Sequence, residues 1–136
     1  MKPNPKTLEV SMRDVSVALT NRPGELARVA RALSRYGLNL KSVAGLAVDG
    51  HVRVRFLPDE IEPARKALEA SGIRFEESEV VSVLLENKAG ALAEIAEKLA
   101  DANVNLLALY VTGLEGDLVE LAIVADDPKK AKRILA

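Results

Sequence analysis

The sequence predicts an α+β fold: two tandem βαββαβ units with antiparallel sheets, the second without a C-terminal strand of its own. Three observations predict it. The first is an internal duplication, in which Arg13–Leu40 aligns with Glu79–Leu106 at a shift of 66 and twelve of twenty-eight positions are identical. Unrelated segments would share about two. The second is size and composition. A chain of 136 residues, 49% hydrophobic and 29% charged, can form one ordinary domain or two small ones with a buried core. The third is that each copy alternates segments of period two with segments of period 3.6 in the same order.

In the first copy, Val15, Val17 and Leu19 alternate with Ser16, Ala18 and Thr20, the pattern of a half-buried strand. Asn21-Arg22-Pro23-Gly24 breaks it, because proline fixes φ and glycine reaches conformations other residues avoid. Leu26, Val29, Ala30 and Leu33 then recur at helical spacing, and Gly37 closes the helix. Leu38–Val48 reads as a second strand, and Asp49-Gly50 is a hairpin turn before Val52, Val54 and Phe56 in strand three. Asp59 stands at the expected N-cap of a helix running to Ser71-Gly72. Ile73 and Phe75 open strand four, which leads into the next copy without a linker. The second copy repeats this as Val80–Leu85, Gly90–Ala102, Val104–Thr112, Leu118–Val124 and Asp127–Leu135. βαββαβ is the ferredoxin-like order, with both helices on one sheet face. The units are expected at 13–78 and 79–136.

No fourth strand follows the last helix, but Thr7–Met12 stands before strand one just as strand four stands before the second copy. Leu8, Val10 and Met12 alternate with Glu9 and Ser11, so residues 7–12 are expected to complete the second unit, within the chain or across a dimer. Lys2-Pro3-Asn4-Pro5-Lys6 is poorly suited to a ladder, since proline lacks the donor.

Composition excludes several chemistries. There is no cysteine, so disulfides, thiolate metal sites and cysteine nucleophiles are absent, and one histidine cannot make a multi-histidine metal site. A net charge of −1 carries no signature of nucleic-acid binding. No apolar run approaches a membrane span and Met1–Lys6 lacks a signal-peptide core, so a cytoplasmic location is expected. No Walker loop, Gly-x-Gly-x-x-Gly or nucleophile motif occurs; His51 is a turn residue and Asp126-Asp127 a helix cap. The reading is therefore non-enzymatic, without a cofactor.

The loops Asn21-Arg22-Pro23-Gly24-Glu25-Leu26 and Asn87-Lys88-Ala89-Gly90-Ala91-Leu92 occupy equivalent positions between strand and helix. Structurally each starts a helix, with asparagine accepting a bond from the first turn. Functionally, free N–H groups at a helix N terminus attract carboxylates. Together with Leu33 and Gly37-Leu38-Asn39-Leu40 at the start of strand two, these residues resemble the ACT domain, a ligand-binding regulatory module of amino-acid metabolism. The second copy keeps Asn87, Gly90, Leu92, Leu99 and Asn105-Leu106 but has Ala89 for Pro23 and Asn103 for Gly37. The resemblance covers Arg13 to Ala136 as a stand-alone tandem pair. It implies a small effector, usually an amino acid, held by these twelve loop residues at the interface between paired ACT units. Asn21 and Asn87 would bond its amino or carboxylate group, and the N–H groups near Gly24 and Gly90 its carboxylate. Asn39 and Asn105 are expected to bond their own backbone instead. The alternative is an interaction or dimerisation module without ligand.

Two features bear on assembly. A 4-1-3-2 sheet leaves strand two at an edge, and Ala27, Ser34, Ala93 and Ala100 are small residues on one flank of the adjoining helices. With an apolar open sheet face carrying residues such as Leu84, this predicts a homodimer. Residues 1–78 hold thirteen basic and ten acidic side chains, and residues 79–136 six and ten, so Arg28, Arg31 and Arg35 correspond to Glu94, Glu97 and Asp101. The stripes lie nearly opposite the apolar helix faces, as solvated faces do, and their opposite signs would weakly favour pairing of the two halves.

Overall fold

A computed structural model describes residues 6–7 and 12–136 of the chain. It divides into two compact units, Arg13–Ser78 and Glu79–Ala136, the latter grouped with Lys6, Thr7 and Met12 among the described residues. The elements are β1 (Lys6–Thr7), β2 (Met12–Thr20), α1 (Glu25–Ser34), β3 (Leu40–Val48), β4 (His51–Pro58), α2 (Ile61–Ala70), β5 (Glu76–Glu86), α3 (Ala91–Asp101), β6 (Leu106–Glu115), β7 (Leu118–Ala125) and α4 (Pro128–Leu135).

In the first unit β2 pairs antiparallel with β4, Val17 opposite Val54, and β4 with β3, Phe56 opposite Val43. β5 flanks the other side of β2, so the unit has the anticipated order with β3 at an edge. The period-two pattern sends Val15, Val17, Leu19, Val54 and Phe56 to one face, where Val29, Leu33, Ala64 and Leu68 of the two helices cover them. All nine are buried. The opposite phase of the strands carries polar groups. Asp14 is fully buried, and Arg55 Nη1 donates to both of its carboxylate oxygens at 3.1 Å. Arg53 Nη1 donates to the buried Ser16 Oγ at 3.0 Å. A second cluster centres on Glu77, whose carboxylate accepts from Arg65 Nε at 2.6 Å, Arg65 Nη2 at 2.8 Å and Arg13 Nε at 3.1 Å. Arg65 also bonds Glu62.

In the second unit β5 pairs with β7, Val83 opposite Leu121, and β7 with β6, Ile123 opposite Leu109. Irregularities at Leu106/Ala108 and Val111/Gly113 interrupt the β6 register. Leu84, opposite Glu120 on β7, is also opposite Lys6, and Val83 is opposite Thr7. β1 therefore lies antiparallel along the other edge of β5. The core is Val81, Val83, Leu85, Leu121 and Ile123 beneath Ile95, Leu99, Ala131 and Leu135. Ser82 Oγ donates to Met12 Sδ at 3.2 Å.

Several boundaries differ from expectation. Met12 opens β2 rather than ending a preceding strand, and Lys6 joins a ladder despite its proline-rich context. Leu8, Val10 and the rest of residues 8–11 lie outside the described residues. Ile73 and Phe75 precede β5 instead of opening it. Glu60, not Asp59, is the N-cap of α2; the Asp59 N–H donates to the Asn39 carbonyl at 3.0 Å, as the Asp126 N–H does to the Asn105 carbonyl one residue before the N-cap of α4. Asp49 and Gly50 both take positive φ, 51° and 78°, as the hairpin turn requires. The anticipated apolar open face is also corrected. By alternation with the core residues, Val80, Ser82, Ala122 and Val124 lie on the face away from the helices, yet all four are buried, and Leu84 is half-buried. Exposed apolar side chains sit on the edge strands instead: Leu46 is 70% exposed on β3, and Leu107 and Leu114 are 63% and 75% exposed on β6. None of the described helices is long and apolar enough to cross a membrane.

Two predictions follow from this packing. The Arg65 hydrogen bond, with help from Arg13 and against partial desolvation, holds the Glu77 carboxyl below its ordinary range. Its folded value is depressed, so its stabilisation is complete above the unfolded value of about 4.3 and is lost as pH falls through the lower folded value. Acid titration of wild type and Glu77→Gln should give stability curves that converge only at acid pH; parallel curves would refute this. If residues 7–12 complete the second unit, deleting residues 1–12 should destabilise that unit preferentially and raise amide exchange across Val80–Leu85. Unchanged melting and protection in the deletion variant would exclude that role.

Candidate functional site

The two strand-to-helix loops adopt one backbone conformation, bond for bond. In the first, Asn21 N–H donates to the Gly50 carbonyl of the neighbouring hairpin at 3.0 Å, and Arg22 N–H to Thr20 O at 2.9 Å. In the second, Asn87 N–H donates to the Asp117 carbonyl at 2.6 Å, and Lys88 N–H to Glu86 O at 2.9 Å. The helices then start at Gly24 and Gly90, with φ of 90° and 89° and the same first helical bond, Arg28 N–H to Gly24 O and Glu94 N–H to Gly90 O, at 3.0 Å each. Replacing Pro23 by Ala89 leaves the loop geometry unchanged. Asn103 likewise substitutes for Gly37 at the end of the helix, taking φ of 59° where Gly37 takes 68°. Asparagine is among the few residues that tolerate that region.

The asparagines do not cap. Gly24 and Gly90 are the N-caps and neither helix has a side-chain cap bond, whereas Asp127 caps α4 by accepting from Lys130 N–H at 3.1 Å. The first N–H of each helix reaches the carbonyl three residues back, Glu25 to Arg22 O at 3.5 Å and Ala91 to Lys88 O at 3.3 Å, and no side-chain acceptor caps either start. Asn21, Arg22, Pro23, Gly24 and Leu26 are exposed and Glu25 half-buried; Asn87, Lys88, Ala89, Gly90 and Leu92 are exposed and Ala91 buried.

Beside the second loop is a cavity of about 320 Å³ lined by Leu85, Glu86, Asn87, Lys88, Ala91, Leu92, Leu109, Tyr110, Val111, Val119 and Leu121. The loop and the first turn of α3 form one side, and the edge strand β6 with β7 the other. Apolar side chains dominate, and the charge is one pair, Lys88 Nζ to Glu86 Oε2 at 2.7 Å. The corresponding first loop has different electrostatics. Glu25 occupies the place of Ala91 and lies 3.7 Å from Arg22 and 3.8 Å from Arg28. Its own carboxylate already answers the positive end of α1. In α3 the first-turn acid is Glu94. It stands two residues, roughly 200° of helix rotation, from Leu92, and so on another side of the helix.

Of the residues singled out in the sequence, Asn87, Lys88, Ala91 and Leu92 line this cavity, while Ala89 and Gly90 shape its loop without lining it. Leu85, Glu86, Leu109, Tyr110, Val111, Val119 and Leu121 were missed. Glu86 could have been found as the charged replacement of Thr20 in the aligned repeat, and Leu109 and Val111 as apolar residues on an edge strand. Two cavities of about 480 Å³ elsewhere contain none of the twelve loop residues: one lies among Ser16, Ala18, Arg53 and Ile73–Glu76, the other among Ala18, Leu46, Val48, His51, Val52 and Arg53. Asn39 and Asn105 tie strand starts to the turn after strand three, Asn39 through its carbonyl and Asn105 through both backbone groups, its N–H reaching Asp126 Oδ1 at 3.1 Å. His51 is exposed at the hairpin. Among the described residues no three of His, Cys, Asp or Glu are placed to hold a metal ion.

Residues 80–135, nearly all of the second unit, match the family model of the ACT domain. No curated protein sequence matches the chain. Solved structures share its fold. A protein from Bacteroides thetaiotaomicron superposes with TM-score 0.82 at 22% identity, covering 92% of this chain and 86% of its own. The regulatory subunit of aspartate kinase from Thermus thermophilus, in ligand-free form, gives TM-score 0.68 at 16% identity, over 98% of this chain and 95% of that one. The corresponding subunit from Thermus flavus gives 0.71 at 14% identity, with the same coverage.

The loop geometry yields a stability prediction. No atom lies within 4 Å of a Cβ built at Gly90, so a side chain there meets no obstacle, only the strain of its φ of +89°. Gly90→Ala should cost about 1–2 kcal/mol. Urea unfolding measures it, and a loss below about 0.3 kcal/mol would show that the left-handed turn is dispensable.

Proposed function

We propose that this chain, which carries an ACT domain in its second unit and repeats the same element order in its first, is a non-enzymatic regulatory protein that binds a free amino acid. The observation that supports it most is the cavity between the β5–α3 loop and β6, closed on one side by a helix start without a side-chain cap. A carboxylate placed there meets the N-terminal N–H groups and the positive end of the helix dipole. The apolar wall accepts a side chain, and the cavity is near the lower end of the ~300–1,000 Å³ range of small-molecule sites, too small for a dinucleotide. The Thermus chains of this fold are regulatory subunits. A regulatory role here extends that likeness as part of the proposal.

The site belongs, in this reading, to paired ACT units of a homodimer. β3 and β6 are edge strands that expose Val43, Leu46, Leu109, Val111 and Leu114, and Leu26 and Leu92 are exposed on the helices above them. An apolar edge with free backbone groups is suited to pairing with a second copy. The same exposure favours the second reading, a dimerisation module whose loops bind nothing.

Titration calorimetry of the twenty amino acids against the full chain separates the two. At least one should bind, and Asn87→Ala or Asn21→Ala should weaken it if the asparagines contact it. No heat with any of them leaves the interaction module. Light scattering at micromolar concentration should report a dimer, and a monomer there would remove the paired-unit site.

A further inference from the structure

We propose that the first unit binds a monocarboxylate with an aliphatic chain on the sheet face opposite its helices, Arg53, Arg74 and Ser16 taking the carboxylate and Ala18, Leu46 and Val48 the chain. The site shares no residue with the loop cavity of the second unit and stands independently of the amino-acid reading.

Strand register builds the face. Val15, Val17, Val54 and Phe56 point to the helical core, so the residues between them point the other way. Ala18 is opposite Arg53 on β4, and Arg53 is opposite Leu46 on β3, which sets the three in one row across about 10 Å of sheet. Thr20, His51 and Val48 form the next row. Two cavities of about 480 Å³ adjoin on this face and share Ala18 and Arg53. Leu46 and Val48 are 70% and 57% exposed, so a chain laid over them removes apolar surface from water. Pairing of the β3 backbone edge with a second copy would leave the face open, because strand side chains stand perpendicular to the sheet.

The charge lies at the other end. Arg53 Nη1 donates to Ser16 Oγ at 3.0 Å, diagonally onto β2, which carries the guanidinium away from Leu46. Ser16 is 2% exposed, and its own hydroxyl proton has no acceptor among the described residues. Arg74 and Glu76 line the same cavity, and neither has an ion-pair partner among the described residues. Two arginines against one glutamate leave a surplus of one positive charge in the lining. A carboxylate neutralises that surplus and accepts from the forked guanidinium groups and from Ser16 Oγ. A dianion would set its second charge beside Glu76, and an ammonium would meet the surplus itself. In the adjoining cavity the polar side chains are Arg53 and His51, the latter at the hairpin end, beyond the chain. The second unit does not duplicate the arrangement. Its corresponding cross-strand pair is Leu84 and Glu120, which offers a carboxylate no cation.

The test is calorimetry on the full chain with octanoate below its micellar concentration, against acetate, inorganic phosphate, octylamine and octanol. Octanoate should bind about tenfold or more tighter than acetate and phosphate, through its chain, and than octylamine and octanol, through its charge. Arg74→Met should weaken octanoate about tenfold, and Leu46→Ser should weaken it as well. Both residues are exposed, so both variants should keep the parent's unfolding midpoint. Glu76→Gln should tighten octanoate, and His51→Ala should leave it unchanged. Backbone amide resonances of Ser16, Ala18, Arg53 and Leu46 should shift when octanoate is added. No binding of octanoate overturns the proposal. So does equal binding of octanol or octylamine, which is adsorption on apolar surface, or of acetate or phosphate, which needs no chain. Octanoate binding unaffected by both Arg74→Met and Leu46→Ser overturns it too, as do resonance shifts confined to the β5–α3 loop. The amino-acid reading is tested with other ligands and loop variants, so it stands or falls separately.

Discussion

Each unit depends on a backbone constraint at the top of its first strand. The chain must leave an extended strand, turn, and enter a helix lying across the sheet within five residues. It does so by placing Gly24 and Gly90 at φ of 90° and 89° and by anchoring Asn21 and Asn87 N–H to a hairpin carbonyl. That anchor joins the loop to the strand-two/strand-three hairpin, so loop, helix start and edge strand are positioned together. The cavity beside β6 is a product of that arrangement: its loop side and its strand side are held by the same bond, Asn87 N–H to Asp117 O. Glycine without a β-carbon is what makes the turn inexpensive.

On this common frame the two units distribute charge differently. The first unit holds its ionic groups inside its own structure. Asp14 is buried against Arg55, Glu77 collects Arg13 and Arg65, and Glu25 stands between Arg22 and Arg28. A buried acid such as Asp14 commits the groups around it, because a charge held out of water needs them to offset its desolvation. In the second unit the aligned positions are neutral where the first is ionic: Val80 for Asp14, Ala91 for Glu25. What remains at the loop is the Glu86–Lys88 pair, which is local and partly solvated. The two copies thus share a backbone and differ in their internal ionic commitments.

Much of this was legible in the residues. Period two in Val15-Val17-Leu19 and period 3.6 in Leu26-Val29-Leu33 report which face is buried, and the shift of 66 shows the architecture used twice. Hairpins carried by Asp49-Gly50 were legible for the same reason: their φ angles are demanded by residue type. Features set by the single residue at which a helix starts were not. Asp59 is as good a capping residue as Asp127, yet only Asp127 caps, because each helix takes its N-cap one residue further on, where the first unit has Glu60. The cavity wall was hidden for another reason. Leu109 and Val111 alternate as any strand residues do, and alternation does not say that β6 lies at an edge or which loop its side chains will face. Nor does it say that the sheet face carrying Ala122 and Val124 is buried, a fact that only packing decides.

The pairing of Lys6 with Leu84 has a consequence in time. These residues are separated by most of the chain, so the N-terminal segment is made first and finds its ladder partner only after the whole first unit has been synthesised. Residues 13–78 can collapse on local contacts as they emerge, domain by domain as chains generally do. Until Val83 and Leu84 are made, Lys6 and Thr7 are without this ladder partner, and the contact they then make is of the non-local kind that slows folding. A cargo fused ahead of Lys6 would travel with this waiting segment, and translation speed through the first unit would set how long the segment remains available to other strands.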